Sequence, residues 1–372
     1  MLTSGGESVM LSGTNFGAIG GSVSAVIGEY GWTGSTYVAL DCVVTTDHVG
    51  VTCTTVEGVG ANLVWRLTIG GQQSALSVAT TSYIVPVITS ITKPATSSVD
   101  VLSMPTGGGT RVQLTGTNLG PLTNNPVTAV YGVSGPAYRY SGVNCVVVTA
   151  HTVIECVSSA GVGHDLVWSV KVGNQSSPSS SAVTSYGIPS VSVITGGSAL
   201  STAGQDGVVL TGSNFGPLGT DEHDISAWYG PVTQLTQFTA TRCNVTQADT
   251  EMRCWTAVGV GYDHSWTVSV GGQLSVATST AASKTSYAVP SIVSVRMSGS
   301  STTMRTSGSE SIVINGTNFG PASTAWNVMN ATYSGALGMV YVVLSCSVIV
   351  DHVSAMCLST VGVGALNTWR VN

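Results

Sequence analysis

Cysteine occurs eight times, always as a pair eleven positions apart: Cys42/Cys53, Cys145/Cys156, Cys243/Cys254 and Cys346/Cys357. A spacing repeated four times is internal self-similarity, and the other landmarks keep step with it. A tryptophan follows each second cysteine at an offset of twelve, at Trp65, Trp168, Trp266 and Trp369. A Gly-Val-Gly triplet starting at Gly58, Gly161, Gly259 and Gly362 precedes each tryptophan. Upstream of each pair stands a variant of Leu-Thr-Gly-Thr-Asn-Phe-Gly, centred on Asn15, Asn118, Asn214 and Asn318, and the first three units close with Thr-Ser-Tyr at Tyr83, Tyr186 and Tyr287. The period is roughly a hundred residues, the length of a domain and longer than any solenoid repeat. The expected division is therefore four domains, at 1–84, 85–187, 188–288 and 289–372.

Each unit reads as an all-β sandwich. After every Gly-Val-Gly, large apolar and polar residues alternate, which is the period of a half-buried strand. Trp65, Leu67 and Ile69 are expected to face inward, with Arg66 and Thr68 facing out. Ahead of the Asn-Phe-Gly motif, Val9 and Leu11, Val112 and Leu114, Val208 and Leu210, and Ile312 and Ile314 repeat the pattern. A strand, a short turn and an antiparallel return strand place two residues eleven apart opposite one another, within disulfide range. The intervening residues, such as Thr45 to His48 and Gln247 to Thr250, are polar as a hairpin tip should be. One disulfide per domain is expected. Zinc ligation would need far tighter ligand spacing and a histidine cluster that the chain does not supply. In the Gly-Thr-Asn-Phe-Gly turns, positive φ is cheap for Gly and tolerable for Asn, and Phe16, Leu119, Phe215 and Phe319 are expected to anchor the turn in the core.

Taken together, Pro-x-Ile-x-Ser-Ile from Pro86 to Ile91, Gly-Thr-Asn-Phe-Gly, the cysteine pair, Gly-Val-Gly and Thr-Ser-Tyr resemble the IPT/TIG domain, the immunoglobulin-like module of plexins and certain transcription factors. The resemblance covers the whole chain and implies four tandem IPT/TIG sandwiches in a linear array. Its intracellular branch uses basic loops. The paired cysteines and scarce lysine here fit the extracellular branch, tandem modules of receptor ectodomains and large cell-surface proteins. Aligned on the motifs, Met1 matches Met104, and Asn372 matches Thr68. The first domain is thus expected to lack its opening strand and the last its closing strand. Two readings fit: an excerpt from a longer array, or ends completed by strand exchange between copies.

Charged residues make up only 8% of the chain, against about 25% in ordinary soluble domains. Lysine occurs only at Lys93, Lys171 and Lys284, so nucleic-acid binding is disfavoured. Apolar runs are broken by Gly, Ser and Thr before reaching the roughly 18 residues of a membrane helix. A neutral surface leaves two solutions, attached sugar or burial against neighbouring copies. Four N-glycosylation sequons stand at Asn174, Asn244, Asn315 and Asn330. The Ser/Thr-rich stretches Ser176 to Ser181 and Ser298 to Ser309 read as linkers or O-glycosylated joints.

No nucleophile elbow, P-loop, paired catalytic carboxylates or zinc-protease helix is present, and no thiol is left over, so no enzymatic activity, catalytic residue or cofactor is expected. The histidines of the cysteine hairpins, His48, His151 and His352, read as polar turn residues, and His164, His223 and His264 suggest no metal site. Asp221, Glu222, His223 and Asp224 read as a solvated loop, without the spacing of a calcium site. Trp32, Trp228, Trp255 and Trp326 have no counterparts in other repeats and are candidates for a sugar-stacking or protein-contact surface, or for packing. The expected function is an extracellular structural protein whose repeats build a glycosylated fibre, filament or stalk, with other copies or continuing repeats as partners. The alternative is an ectodomain segment of an adhesion protein or receptor that binds protein or carbohydrate.

Overall fold

A computed structural model describes residues 1–20, 26–123, 126–133, 138–299, 303–322, 329–335 and 338–371. The chain divides into two compact units, Met1–Gly187 and Ile188–Asn372. Among the described residues the regular secondary structure is all strand, apart from a single 3₁₀ turn at Ala281–Ser283.

The second repeat, in the first unit, shows the topology most fully. One sheet runs Val87–Thr92, Arg111–Thr117, Val153–Val157, Tyr140–Thr149; the other runs Tyr140–Thr149, Val127–Gly132, Leu166–Val172, Gln175–Ser176. The ten-residue strand Tyr140–Thr149 belongs to both. It pairs with Val127–Gly132 through Tyr140 to Gly142, then crosses over and pairs with Val153–Val157 from Val143 onward. This is the strand order of an immunoglobulin-like sandwich. The third repeat, in the second unit, repeats the arrangement with Phe238–Gln247 as the shared strand. The first and fourth repeats each form two separate sheets of the same order.

A tyrosine stacked on the repeat tryptophan fills each core: Tyr30 on Trp65, Tyr131 on Trp168, Tyr229 on Trp266 and Tyr333 on Trp369, with centroids 4.1 to 4.7 Å apart. Trp168 and Trp266 are fully buried. An indole N–H inside a core needs an acceptor, and the threonine of Thr-Ser-Tyr supplies it, with Trp168 Nε1 donating to Thr184 Oγ1 at 3.0 Å and Trp266 Nε1 to Thr285 Oγ1 at 2.9 Å. The tyrosine of the same motif pairs its hydroxyl with that of the stacked tyrosine at 2.7 Å, as in Tyr131 with Tyr186. Burial pushes the Tyr186 hydroxyl far above the ordinary tyrosine range, so it stays protonated and donates to Ser159 O.

The expected inward faces hold for Trp65 and Leu67, and for Val112, Leu114, Val208, Leu210, Ile312 and Ile314. Ile69, Val9, Leu11 and Phe16 are only half-buried. Among the described residues, Ser8–Ser12 is an edge strand with Gly50–Thr54 as its sole neighbour, so its inner face is covered from one side only.

The stretch Ser176 to Ser181 is not a linker. Ser180 Oγ accepts from Trp168 N, and Ser177 Oγ accepts from Val170 N, so these hydroxyls extend the sheet where the backbone leaves the ladder. Ser74 and Ser77 do the same in the first repeat, and Ser275 and Thr278 in the third. Ser298 to Ser309 falls partly outside the described residues, at 300–302.

Candidate functional site

The four cysteine pairs form disulfides, Cys42–Cys53, Cys145–Cys156, Cys243–Cys254 and Cys346–Cys357, with Cα atoms 4.0 to 4.1 Å apart. No cysteine is free. Each bridge staples a hairpin whose tip has a residue with left-handed backbone, at His48, His151, Asp249 and His352 (φ 63° to 67°). The asparagines of the Asn-Phe-Gly turns share this conformation, with φ between 56° and 65°.

Turn and tip are tied together. His151 N donates to Gly120 O at 2.7 Å, and Leu119 N donates to His151 O at 2.9 Å. The same two bonds recur between His48 and the Phe16–Gly17 turn, between Asp249 and Phe215–Gly216, and between His352 and Phe319–Gly320. The recurring turn therefore fixes the hairpin tip, and at Asp249 the tip side chain also turns back to accept from Asn214 N at 3.1 Å. In the second and fourth repeats that side chain has a partner from the preceding repeat.

In the first unit, His151 Nδ1 lies 3.1 Å from Thr3 Oγ1, and its Nε2 lies 3.5 Å from Glu57 Oε2. Gln175 Nε2 donates to Tyr83 O at 2.9 Å. Gly173, at φ +53°, presses so closely on Val59 that a Cβ would come within 2.5 Å of its side chain. Glycine is required there both by the backbone angle and by the approach. In the second unit, His352 Nδ1 lies 2.9 Å from Thr202 Oγ1. Thr3 and Thr202 are equivalent residues, since each accepts from the first glycine of Gly-Val-Gly, Gly58 and Gly259. Sequence reasoning assigned these histidines to ordinary turns. The threonine that meets each one lies 148 or 150 residues away, and no local pattern links the two.

The sequons sit in unlike surroundings. Asn330 and Asn174 are exposed, Asn174 at a positive-φ turn. Asn244 is half-buried beside Cys243. Asn315 lies within the strand Ser311–Thr317, where its amide donates to Ser294 Oγ at 3.3 Å and accepts from Ser354 Oγ at 2.9 Å. Sugar attached at Nδ2 would have to fit beside Ser294 and Ser354, which hold that amide within the sheet.

Trp255 is half-buried beneath two guanidinium groups, Arg242 and Arg253, 4.8 and 5.0 Å from its ring. Trp32 is exposed and covers Gly60, and Trp228 is half-buried. Trp326 lies outside the described residues. His223 and Asp221 form an exposed pair at 2.8 Å that raises the imidazole pKa. Among the described residues no group of His, Cys, Asp or Glu could hold a metal ion, and no helix is long and apolar enough to cross a membrane.

A cleft of about 760 Å³ opens in the second unit between the third and fourth repeats, lined by Val260, Tyr262, His264, Tyr287, Phe319 and Met329 among others. His264 is buried among the rings of Tyr229, Phe238 and Tyr287. Its Nε2 meets Val260 O at 3.2 Å, while its Nδ1 has no hydrogen-bond partner among the described residues. Burial pushes its pKa down, so the ring is neutral.

No family model matches this chain, and no curated protein matches it. Solved structures similar to it include a protein crystallised with a xylogluco-oligosaccharide (13% identity over 98% of this chain and 94% of that one, TM-score 0.28). Also similar are the Escherichia coli adhesin FdeC (12%, 72% and 93%, 0.23) and invasin, a bacterial integrin-binding protein (12%, 96% and 74%, 0.21). These likenesses are too slight to bear on function, and the sandwich assignment rests on the strand order itself.

Proposed function

We propose that this chain is a non-catalytic structural protein of the extracellular space, whose IPT/TIG-type repeats build a fibre, filament or stalk. The observation that carries this reading is the recurrence of one joint, His151 on Thr3 and His352 on Thr202, by which consecutive sandwiches are held through equivalent residues. A contact made from the same residues twice suits stacking of modules better than presentation of a single active site. Four closed disulfides support an oxidising compartment. With charged residues at 8% of the chain, N-linked sugar on exposed Asn174 and Asn330 would help keep such an assembly hydrated. Electron microscopy of native material tests the reading: filaments are expected, and compact monomers would overturn it.

The second reading, an adhesion or receptor ectodomain, is favoured by the cleft of about 760 Å³, beside which Tyr262 stands 81% exposed. It predicts specific retention on an immobilised glycan or protein, abolished by Tyr262→Ala.

A further inference from the structure

On the outer face of the third sandwich two arginines share one indole. The guanidinium carbons of Arg242 and Arg253 lie 4.8 and 5.0 Å from the Trp255 ring, and both arginines are exposed. Stacking on an aromatic face holds a guanidinium in place while leaving the N–H donors at its edge free. Among the described residues neither group is paired with a carboxylate. Arg242 Nη2 donates to a neutral acceptor, Gln205 Oε1, at 2.6 Å. The carboxylates close by in the chain are engaged elsewhere, Glu251 by Thr246 Oγ1 at 2.6 Å and Asp206 by Ser201 N.

The other repeats show that this arrangement is no requirement of the fold. In the first three repeats the strand bulges at its cysteine. The residue just before that cysteine has left-handed backbone, at Asp41 (φ 49°), Asn144 (φ 51°) and Arg242 (φ 51°). Asp and Asn tolerate this conformation; for Arg it is strained, and strain of this kind gathers at functional sites.

The partner strand has changed in step. Arg253 stands where the second repeat has Glu155, which pairs with Arg111. Gly207 takes the place of Arg111, and the Arg253 guanidinium fills the space a side chain there would need, since a Cβ would come within 2.6 Å of it. Trp255 replaces Val157. An ion pair has thus been exchanged for two cations without a counter-ion, in a chain with only 11 Lys and Arg residues. Like charges held together favour an anion that neutralises them.

We propose that Arg242 and Arg253, set on Trp255, bind an acidic polysaccharide, their N–H forks taking its carboxylate or sulfate groups. The neighbours on this face are hydroxyl and amide groups. Thr241 and Asn244 replace the exposed aliphatic pairs Leu40 and Val43 of the first repeat and Val143 and Val146 of the second. Such a surface suits the hydroxyls of a sugar chain and offers no pocket to the apolar side chains of a peptide. Two cations are too few for nucleic acid. The site shares no residue with the cleft between the third and fourth repeats, and it does not depend on the fibre reading.

The test is equilibrium binding of the full, oxidised chain to oligogalacturonate, which carries carboxylates, and to dextran sulfate, with polyglutamate as the peptide control, each up to about millimolar. At least one saccharide should bind, and the preference identifies the acid group. Arg253→Gln and Arg242→Asn should each weaken binding roughly tenfold. Arg305→Gln, at an exposed arginine of the fourth repeat, should not. Arg242→Asn should act without lowering the melting temperature, because Asn144 holds the same φ in the second repeat, and this separates ligand binding from a structural role. Asn244→Gln, which keeps sugar off the sequon opposite Arg253, should bind at least as well as wild type. A chain that binds neither saccharide overturns the site, as does binding that survives the loss of both arginines. Tighter binding of polyglutamate than of either saccharide would make the partner an acidic protein segment and overturn the assignment. The fibre reading stands or falls separately, on microscopy of native material.

Discussion

His352 Nδ1 lies 2.9 Å from the hydroxyl of Thr202, 150 residues earlier in the chain, and this pair links two sandwiches that local sequence would treat as independent. A hydrogen bond of this kind contributes about 1 kcal/mol net. Thr202→Val keeps the shape of the buried side chain and removes its hydroxyl. It should lower the stability of the second unit by about 1 kcal/mol, and His352→Ala by a similar amount. The double variant should lose less than the sum. Chemical denaturation of the four proteins of this cycle checks the coupling, and strictly additive losses would show that the two side chains do not act together.

His264 makes the third sandwich sensitive to acid. Leu63 and Leu166 stand in its place in the first and second repeats, both buried. Burial holds its pKa below the ordinary 6.5, so below that pH the unfolded chain takes up a proton that the folded core excludes. Its contribution is fully present above about pH 6.5 and is lost as pH falls from there through the folded value. His264→Leu also removes the unpaired Nδ1, and should stabilise the unit by about 1 kcal/mol at neutral pH. The gain should grow on acidification, measured as the difference in melting temperature between wild type and variant from pH 7.5 to 5. A difference that does not change with pH would contradict the assignment.

Each disulfide closes a short hairpin, for which the chain-entropy model gives about 2 to 3 kcal/mol. Cys145→Ala with Cys156→Ala should destabilise the first unit by about that amount and leave the second unit's transition in place. Calorimetry of the full chain checks this through separate unfolding transitions.

Sugar occupancy should follow the surroundings of each acceptor amide. Intact glycopeptide mapping of native protein is expected to find Asn174 and Asn330 modified. Asn315, bonded on both sides by Ser294 and Ser354, should be bare. A fully occupied Asn315 would contradict the enclosure of its amide between Ser294 and Ser354.

The four-fold cysteine spacing was enough to predict a stapled hairpin in each repeat, because alternation along a strand and the length of a turn are local properties. The inward faces of Trp65, Leu67, Val112, Leu114, Val208, Leu210, Ile312 and Ile314 were legible for the same reason. The role of Thr-Ser-Tyr was not, since Thr184 accepts from Trp168 and Tyr186 pairs with Tyr131 only once Val127–Gly132, Leu166–Val172 and Val183–Thr184, distant in sequence, lie side by side. Serines near position 180 looked like a linker because their composition suits one, yet their hydroxyls complete a sheet. The hairpin histidines illustrate the division most clearly. Sequence determined that His48, His151 and His352 sit at polar tips, a matter of turn chemistry. Tertiary structure alone decided that His151 and His352 meet Thr3 and Thr202, because that contact depends on how one folded sandwich is placed against the next. Such placement is set by the surfaces of whole domains, which no window of residues along the chain contains.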